Sequence, residues 1–401
     1  MSLECVDIIV VGAGPAGLVV ALCLARHHQV ALVGPPEAGR PADRRTTALL
    51  GASVDLLENI GVWEHLGARA TPLDGIRIVD DRKGLLRAPE LTFRAAELGI
   101  ASFGANVENQ DLVRVLLDKV ARTPAIRRIE GTVTAADLAS DKATIRLEDA
   151  RGLEAPLIIA ADGRNSLIRK ASGIGTKTWS YPQSALAVSF SHSREHGGVS
   201  TELHRRHGPL TVVPLAGRAS SLVWVERPEE ATRLAELPDA QLAHILETEL
   251  QGLLGSITRL GHRGVFPLSG LTADTMGSHR VALVGEAAHV MPPIGAQGLN
   301  LGFRDAAALA EIVDAAAQAG TDIGSDDVLQ RYDRARMSDI RTRQMSVDAL
   351  NHSLVSDFLP VQALRGTGLH LLAHLKPLRE AVMRAGMGPA TVPRLMQRLS
   401  A

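Results

Sequence analysis

Residues 8 to 25, IIVVGAGPAGLVVALCLA, carry no charge, and three glycines and a proline stand in the middle of the run. An uncharged stretch of this length has to be weighed as a membrane span. The glycines and the proline interrupt it and no basic segment precedes it, so the pattern predicts a buried strand, a tight turn and a buried helix. Extended to VDIIVVGAGPAGLVVALCLARHHQVALVG, the segment reads strand, turn, helix, second strand, which is a βαβ unit. Another apolar run, Leu157 to Ala160, enters Asp162-Gly163 and a short basic helix with Arg164 and Arg169. A third, Val281 to Val284, meets a connector crowded with Pro292, Pro293, Gly295 and Gly298 before an Ala/Leu-rich helix from Leu299 onward. Ordinary strand-to-helix turns need only a few residues, so this connector predicts a loop held against something.

From about Trp179 to Gly270 the pattern changes to short alternating runs, SALAVSF, LTVVPLAG and SSLVWVERP, which predict antiparallel strands. With GIRIVDD and ELTFRAAEL they predict a separate sheet covering the ligand end of the βαβ unit. The expected fold is mixed α/β (α+β). A discontinuous Rossmann-like domain takes 1–74, 102–178 and 280–320, a sheet domain 75–101 and 179–279, and a helical region 321–401. No internal repeat or low-complexity segment is present.

Composition narrows the partners. A chain of 401 residues with 45% hydrophobic and 22% charged content has the make-up of an ordinary soluble protein of two or three domains. The net charge of -1 gives no global field toward nucleic acid or membrane. Cys5 and Cys23 lie in apolar runs and offer neither a disulfide framework nor metal spacing, which fits a reducing cytoplasm. His204 and His207 in HRRH lack a third ligand, so no metal is expected. Pro360 to Ala401 holds six Lys/Arg, Arg365, Lys376, Arg379, Arg384, Arg394 and Arg398, against one acid, Glu380. That pattern fits solvated helix faces, or amphipathic helices lying on an anionic membrane or a partner.

Gly12, Gly14 and Gly17 give the G-x-G-x-x-G spacing at the start of the βαβ helix. The first glycine permits the tight turn, the second lets backbone approach a pyrophosphate, and the third lets helix pack on strand, with the helix N-terminus facing the phosphates. NAD and FAD both fit at this point. The second strand of such a unit usually ends in a ribose-binding acid, but Gly34 stands there and Glu37 follows three residues on. Either Glu37 reaches back, or backbone and water hold the ribose.

The Gly-rich start, a mid-chain ADG-x-x-S-x-x-R and a late GEAAH…P…GLNLG, in this order, resemble the single-component flavin-dependent aromatic hydroxylases typified by para-hydroxybenzoate hydroxylase. RRTTALLGASVDLLENIGVWEHLGARATPLDGIRIVD and the tail from RYDRARMSDI onward look like the ubiquinone-biosynthesis branch, whose members hydroxylate polyprenylated phenols. The resemblance implies resident FAD, NAD(P)H as a transient co-substrate, O2, and ring hydroxylation through a flavin C4a-hydroperoxide. It places Gly12, Gly14, Ala16 and Gly17 on the FAD diphosphate, Arg45 and Gln110 near the cofactor, and Asp162 and Gly163 beside both FAD and passing NAD(P)H. Glu286 stands where the family's ribityl-binding Asp is usual. The connector wraps the flavin. Pro292 and Pro293 pre-set its shape and spare buried N–H groups, while the N–H groups of Gly298, Leu299 and Asn300 face the negative charge of reduced flavin. No side chain is marked as a catalytic base.

With six Phe, three Trp and two Tyr in the chain, an aliphatic pocket for a lipid-like aromatic substrate fits better than a stacking one. Two other functions compete. A halogenase or reductase on the same fold is the nearer, but Trp63, Trp179 and Trp224 are isolated and form no Trp-x-Trp-x-Ile-Pro stretch. A non-catalytic FAD-stabilised scaffold in a biosynthetic complex is the other.

Overall fold

The apolar runs of the sequence become neighbours in one sheet. The computed structural model describes residues 3–37, 43–81, 89–355, 367–368, 370–389 and 391–398, so Arg365 lies outside the described residues. Strands Val281–Leu283, Leu157–Ala160, Ile8–Val11, Val30–Gly34 and Ile126–Glu130 lie side by side in that order, all parallel, with Gly277–Ser278 antiparallel at one edge. Ile8 is paired with Leu157 on one side and Val30 on the other. Helices cover both faces of such a sheet, which is why its central strands lack polar alternation. The chain leaves Ile8–Val11 toward Val30–Gly34 and later returns to its other side at Leu157–Ala160. Ligand crevices of open α/β sheets form at this kind of reversal.

The first helix, Pro15–Leu24, is buried from Gly17 to Leu24 and shows no polar face, as expected of a helix enclosed on all sides. It packs on the later helix Gln297–Gln318. A 30-residue helix, Asp326–Val355, lies against Gln297–Gln318 and is anchored by the buried Tyr332, whose hydroxyl donates to the Leu283 carbonyl at 2.8 Å.

A second sheet of eight strands runs His289–Val290, Ile257–Ala273, Thr176–His192, Ala219–Glu226, Gly208–Leu215, Val199–Arg205, Gly75–Asp80 and Leu91–Arg94. It is antiparallel apart from the parallel pairing of Val199–Arg205 with Gly75–Asp80. Leu186, Val188, Phe190 and Trp224 form the core of one face together with Leu234, Leu242 and Leu246. Those last three come from helices Pro228–Glu236 and Asp239–Glu249, which the alternating pattern does not predict. Pro228 opens the first of them, and Glu229 and Glu230 occupy its first turn, a favourable charge at a helix N-terminus. The expected short strand SALAVSF is part of a 17-residue strand, Thr176–His192, and its partner Ile257–Ala273, equally long, matches none of the quoted runs. A four-stranded and a three-stranded sheet complete the described strands.

The C-terminal helix Lys376–Met387 docks on the sheet edge. Arg379 reaches Glu97 at 2.6 and 2.7 Å and lies over the Phe93 ring at 5.1 Å, so this predicted surface cation is a docking contact. Among the described residues no helix is long and apolar enough to cross a membrane.

Candidate functional site

Three parallel strands deliver their C-terminal ends to one place, and glycine sets how closely they meet. Gly12 follows Ile8–Val11 at φ +116°, and its N–H donates to the Val33 carbonyl at 2.8 Å. A Cβ on Gly12 would stand 2.1 Å from the Ala161 carbonyl oxygen, and one on Gly17 would stand 1.9 Å from the Gly12 carbonyl oxygen. Both positions therefore exclude a side chain by contact with the protein itself. Gly14 differs: nothing lies within 4 Å of the place its Cβ would take. It is the N-cap of Pro15–Leu24 and no side chain caps that helix. The first helical bond runs from the Leu18 N–H to the Gly14 carbonyl at 2.9 Å, so the N–H groups of Ala16 and Gly17 precede it and face this opening. The Ala16 methyl packs toward the second helix, with the Cβ positions of Gly285 and Gly302 at 3.1 and 3.4 Å from it.

Asp162 and Gly163 close the neighbouring strand end. Asp162 Oδ2 accepts the Leu167 N–H at 2.9 Å, while its Oδ1 is buried without a partner. Gly163 sits at φ +81° with open space before it. The short helix Leu167–Ala171 begins after Arg164, and Arg169 is buried in it, donating to the carbonyls of Ala287 and Arg164 at 2.7 and 2.9 Å. Arg169 thus ties the Asp162 turn to the Glu286 turn.

After Val281–Leu283 the chain forms a single 3-10 turn, Gly285–Ala287, and then the strand His289–Val290, so the expected loop is shorter than the composition suggests. Glu286 is exposed at the turn. Behind it the fully buried Asp305 accepts the Gly285 N–H at 3.0 Å, pairs with His289 Nε2 at 2.7 Å, and accepts from Arg336 Nε at 2.8 Å. Burial alone pushes the Asp305 carboxyl up, but His289 and Arg336 outweigh it and hold it at about 2.

The helix Gln297–Gln318 starts two residues earlier than expected, after Ala296 in the left-handed region at φ 54°, without a side-chain cap. The N–H groups of Gly298 and Leu299 find no acceptor among the described residues. Gly298 is exposed with nothing within 4 Å of its Cβ position, and Gln297 Oε1 is buried without a partner. The Asn300 side chain is a clamp. It accepts from the Leu50 N–H at 2.9 Å and the Ser53 hydroxyl at 2.7 Å, and donates to the Ala48 and Ala296 carbonyls at 2.9 and 2.6 Å. Pro292 is buried and Pro293 exposed, so sparing a buried N–H explains only the first.

The segment clamped by Asn300 continues from Arg45. Asp43 accepts from Arg45 at 2.7 and 2.8 Å and from Asn109 at 2.9 Å, and these bonds outweigh burial to hold its carboxyl at about 2. The bonds to Asp43, and more weakly the charge of Glu286, raise the Arg45 pKa, and its guanidinium lies 4.9 Å from the Phe266 ring centre. Asn109 also donates its N–H to the Arg45 carbonyl at 2.9 Å, which sets Gln110 beside this group, where Gln110 donates to Glu108 at 2.6 Å. Gly34 has no room for an acid, since its Cβ would stand 2.6 Å from the Ala13 methyl, and Glu37 pairs with Arg128 at 3.6 Å.

The structure thus leaves open space at the Cβ positions of Gly14 and Gly298 and ties the Asp162 turn to the Glu286 turn through Arg169. Asp43, Asn109, His289, Asp305 and Arg336 hold those residues in place. The sequence pattern marked none of the five, although His289 and Arg336 lie inside the quoted motifs. Among the described residues no group of three or more His, Cys, Asp or Glu could hold a metal ion.

The FAD-binding domain family matches residues 5–343 of the chain. A ubiquinone hydroxylase of Rhodospirillum rubrum is 34% identical over 98% of this chain and 92% of its own length. The 3-demethoxyubiquinol 3-hydroxylase of Escherichia coli is 30% identical over 97% of this chain and 100% of its own. Among solved structures, p-nitrophenol 4-monooxygenase of Pseudomonas putida shares the fold, with a TM-score of 0.79 at 20% identity over 97% of this chain and 100% of that one.

Asp305→Asn should remove one of the two carboxylates paired with the buried Arg336, leaving Asp339, and breaking a buried pair costs up to about 3–5 kcal/mol. Because the folded-state pKa lies below the ordinary 3.8, this stabilisation is complete at neutral pH and is lost as pH falls through about 2. Urea unfolding at pH 7 should show a clearly lower midpoint in the variant. The gap should narrow toward pH 2, with residual slope from Asp43, which titrates in the same range. An unchanged midpoint at pH 7 would remove Asp305 from the account.

Proposed function

The chain belongs to the FAD-binding domain family, and on that premise we propose that it hydroxylates the ring of a prenylated phenol on the route to ubiquinone. It is an FAD-dependent monooxygenase with NAD(P)H as co-substrate. Its similarity to two ubiquinone-pathway hydroxylases over nearly its whole length carries the choice of substrate. We also read residues 1–74, 102–178 and 280–320 as one discontinuous FAD-binding unit, 75–101 and 179–279 as the substrate-binding unit and 321–401 as a helical appendage.

The residues present fit the cofactor. The space before Gly14 and the uncapped N–H groups of Ala16 and Gly17 suit a diphosphate. The unpartnered Asp162 Oδ1 and the exposed Glu286 carboxylate suit hydroxyl donors of ribose or ribityl. Gly298 and Leu299 offer N–H groups where negative charge can be stabilised, Pro293 shapes the approach to them, and Arg45 adds a cation on the Phe266 side. When bound, FAD accepts a hydride from NAD(P)H and delivers one oxygen atom of O2 to the ring, the second leaving as water.

The face of the large sheet opposite its helices carries Ala185, Val225 and Leu268, with Val223 and Tyr181 packed against them and Phe266 in register with Ala185. We assign the substrate ring to this small-residue face, bounded by Arg45. Apolar walls of this kind exclude water from the oxygen transfer. Tyr181 donates to Asp348 and accepts from Trp179 at 2.7 Å, so its hydroxyl is engaged within the protein; burial and Asp348 push its pKa up to about 12. It is not assigned as a base.

A lipid-like substrate also gives meaning to the C-terminal helical segment. Leu375, at the N-cap of Lys376–Met387, and Leu378 and Val382 within it are 47, 41 and 41% exposed, Leu371 before the break is 43% exposed, and Met383 on another face is buried. We infer a peripheral contact with a lipid surface through this stripe. Leu375→Glu with Leu378→Glu should abolish co-sedimentation with liposomes while FAD content is retained. Equal sedimentation of variant and parent would contradict the contact.

The hydroxylase reading is tested by supplying the purified protein with NAD(P)H, O2 and short-chain prenylphenols. The expected product carries one additional oxygen by mass spectrometry, and NAD(P)H oxidation accelerates when the phenol is present. Substrate-independent oxidation with no oxygenated product would leave the reductase reading in its place.

A further inference from the structure

A separate space of about 1760 Å³ lies between helices Gly51–Asn59, Gln297–Gln318 and Asp326–Val355 and the C-terminal residues 384–398. Gly14, Asp162, Glu286 and Gly298 do not line it. Its chemistry is set by Arg304, whose side chain is 3% exposed and which borders the space. Arg304 Nε lies 3.0 Å from Asp339 Oδ2 but off the N–H direction, forming an ion pair without a hydrogen bond, and Nη2 has no partner. Asp339 is shared, because Arg336 reaches it at 2.9 Å and Arg343 at 3.5 Å. Asp305, a second buried carboxylate beside this group, is already taken by Arg336 and His289.

Three guanidiniums therefore converge on Asp339, and of these Arg336 alone hydrogen-bonds it; Arg304 and Arg343 are held by charge only, and Arg304 is the more deeply buried of the two. Burial, which the charge of Asp339 only partly offsets, pulls its pKa down to about 10. A buried charge without full compensation is costly, so an anion entering from the cavity would complete the group. Val54, Trp63, Ile312 and Val392 give part of the wall an apolar lining, and the exposed Arg384 and Arg398 border the space as well. Asp55 and Glu58 also border the space, on the Gly51–Asn59 helix, and they disfavour an anionic head on that wall.

From this juxtaposition we propose that the cavity is a second binding site, for an amphiphilic anion whose head pairs with Arg304 and whose aliphatic chain lies along Val54, Trp63, Ile312 and Val392. The site is independent of the ring-hydroxylation reading, since the inference uses none of the residues around Gly14 and Gly298. A long-chain carboxylate and an alkyl phosphate share this chemistry.

The test uses the FAD-loaded protein and probes below their critical micelle concentrations: dodecanoate, dodecyl phosphate and neutral dodecanol. Trp63 borders the cavity whereas Trp179 and Trp224 do not, so binding is read by tryptophan emission and confirmed by calorimetry. One or both anions should bind saturably and at least about tenfold more tightly than dodecanol, and the stronger of the two identifies the head. Arg304→Met should erase that preference while the flavin absorbance spectrum is retained. If Arg304→Met does not fold, Ala308→Phe, which narrows the same space without altering a charge, should weaken all three probes together. Equal affinity for dodecanol and the anions, no saturable binding, or an unchanged preference in Arg304→Met would overturn the proposal.

Discussion

The contact on which the site depends is that of Gly12 with Ala161. A carbonyl oxygen of one strand end occupies the place of the missing Gly12 side chain, 2.1 Å from where its Cβ would be, and the Gly12 carbonyl in turn occupies that of Gly17. These two close approaches bring Ile8–Val11, Leu157–Ala160 and the start of Pro15–Leu24 within one backbone thickness of each other. Without them Gly14 would not face an opening between strand ends, and Asp162 and Glu286 would not border the same crevice. The glycine pattern thus has two physical origins. Gly12 and Gly17 answer to the protein, whereas the Cβ position of Gly14 meets open space, where we propose that the diphosphate lies.

A second constraint keeps the late connector in register. Glu286 and Gly298 belong to a stretch with little regular structure, and its position is fixed from behind by charge. Asp305 takes the Gly285 N–H, His289 and Arg336 at once, and Asn300 ties the following helix to the segment after Arg45 through three hydrogen bonds. The exposed groups to which we propose a cofactor role are thereby held by buried groups behind them. The same buried charges leave Arg304 short of a partner and give the neighbouring cavity its cationic floor.

The parallel sheet was legible in the sequence because strands buried on both faces have to be apolar throughout, and Ile8–Val11, Leu157–Ala160 and Val281–Leu283 announce themselves in this way. The helices Pro228–Glu236 and Asp239–Glu249 were not, because they interrupt a region of alternating strands and their apolar positions are few. The clasp of Asp43 and Asn109 could not be read either, since the residues are 66 positions apart and each is an ordinary polar residue until folding pairs them. Gly34 illustrates the same limit in reverse. Its departure from the acidic position left Glu37 or backbone and water to hold the ribose, and the reason for the glycine is steric, a methyl of Ala13 standing where the side chain would begin.

The most direct measurement of the central claim is FAD titration of Gly14→Val alongside the parent protein, with unfolding followed in parallel. A side chain at position 14 meets open space and should leave the urea midpoint of the FAD-free protein close to the parent's, because only the ligand's place is filled. FAD binding should be lost. Stoichiometric FAD in Gly14→Val would contradict the account, since the opening before Gly14 would then not be where the diphosphate lies.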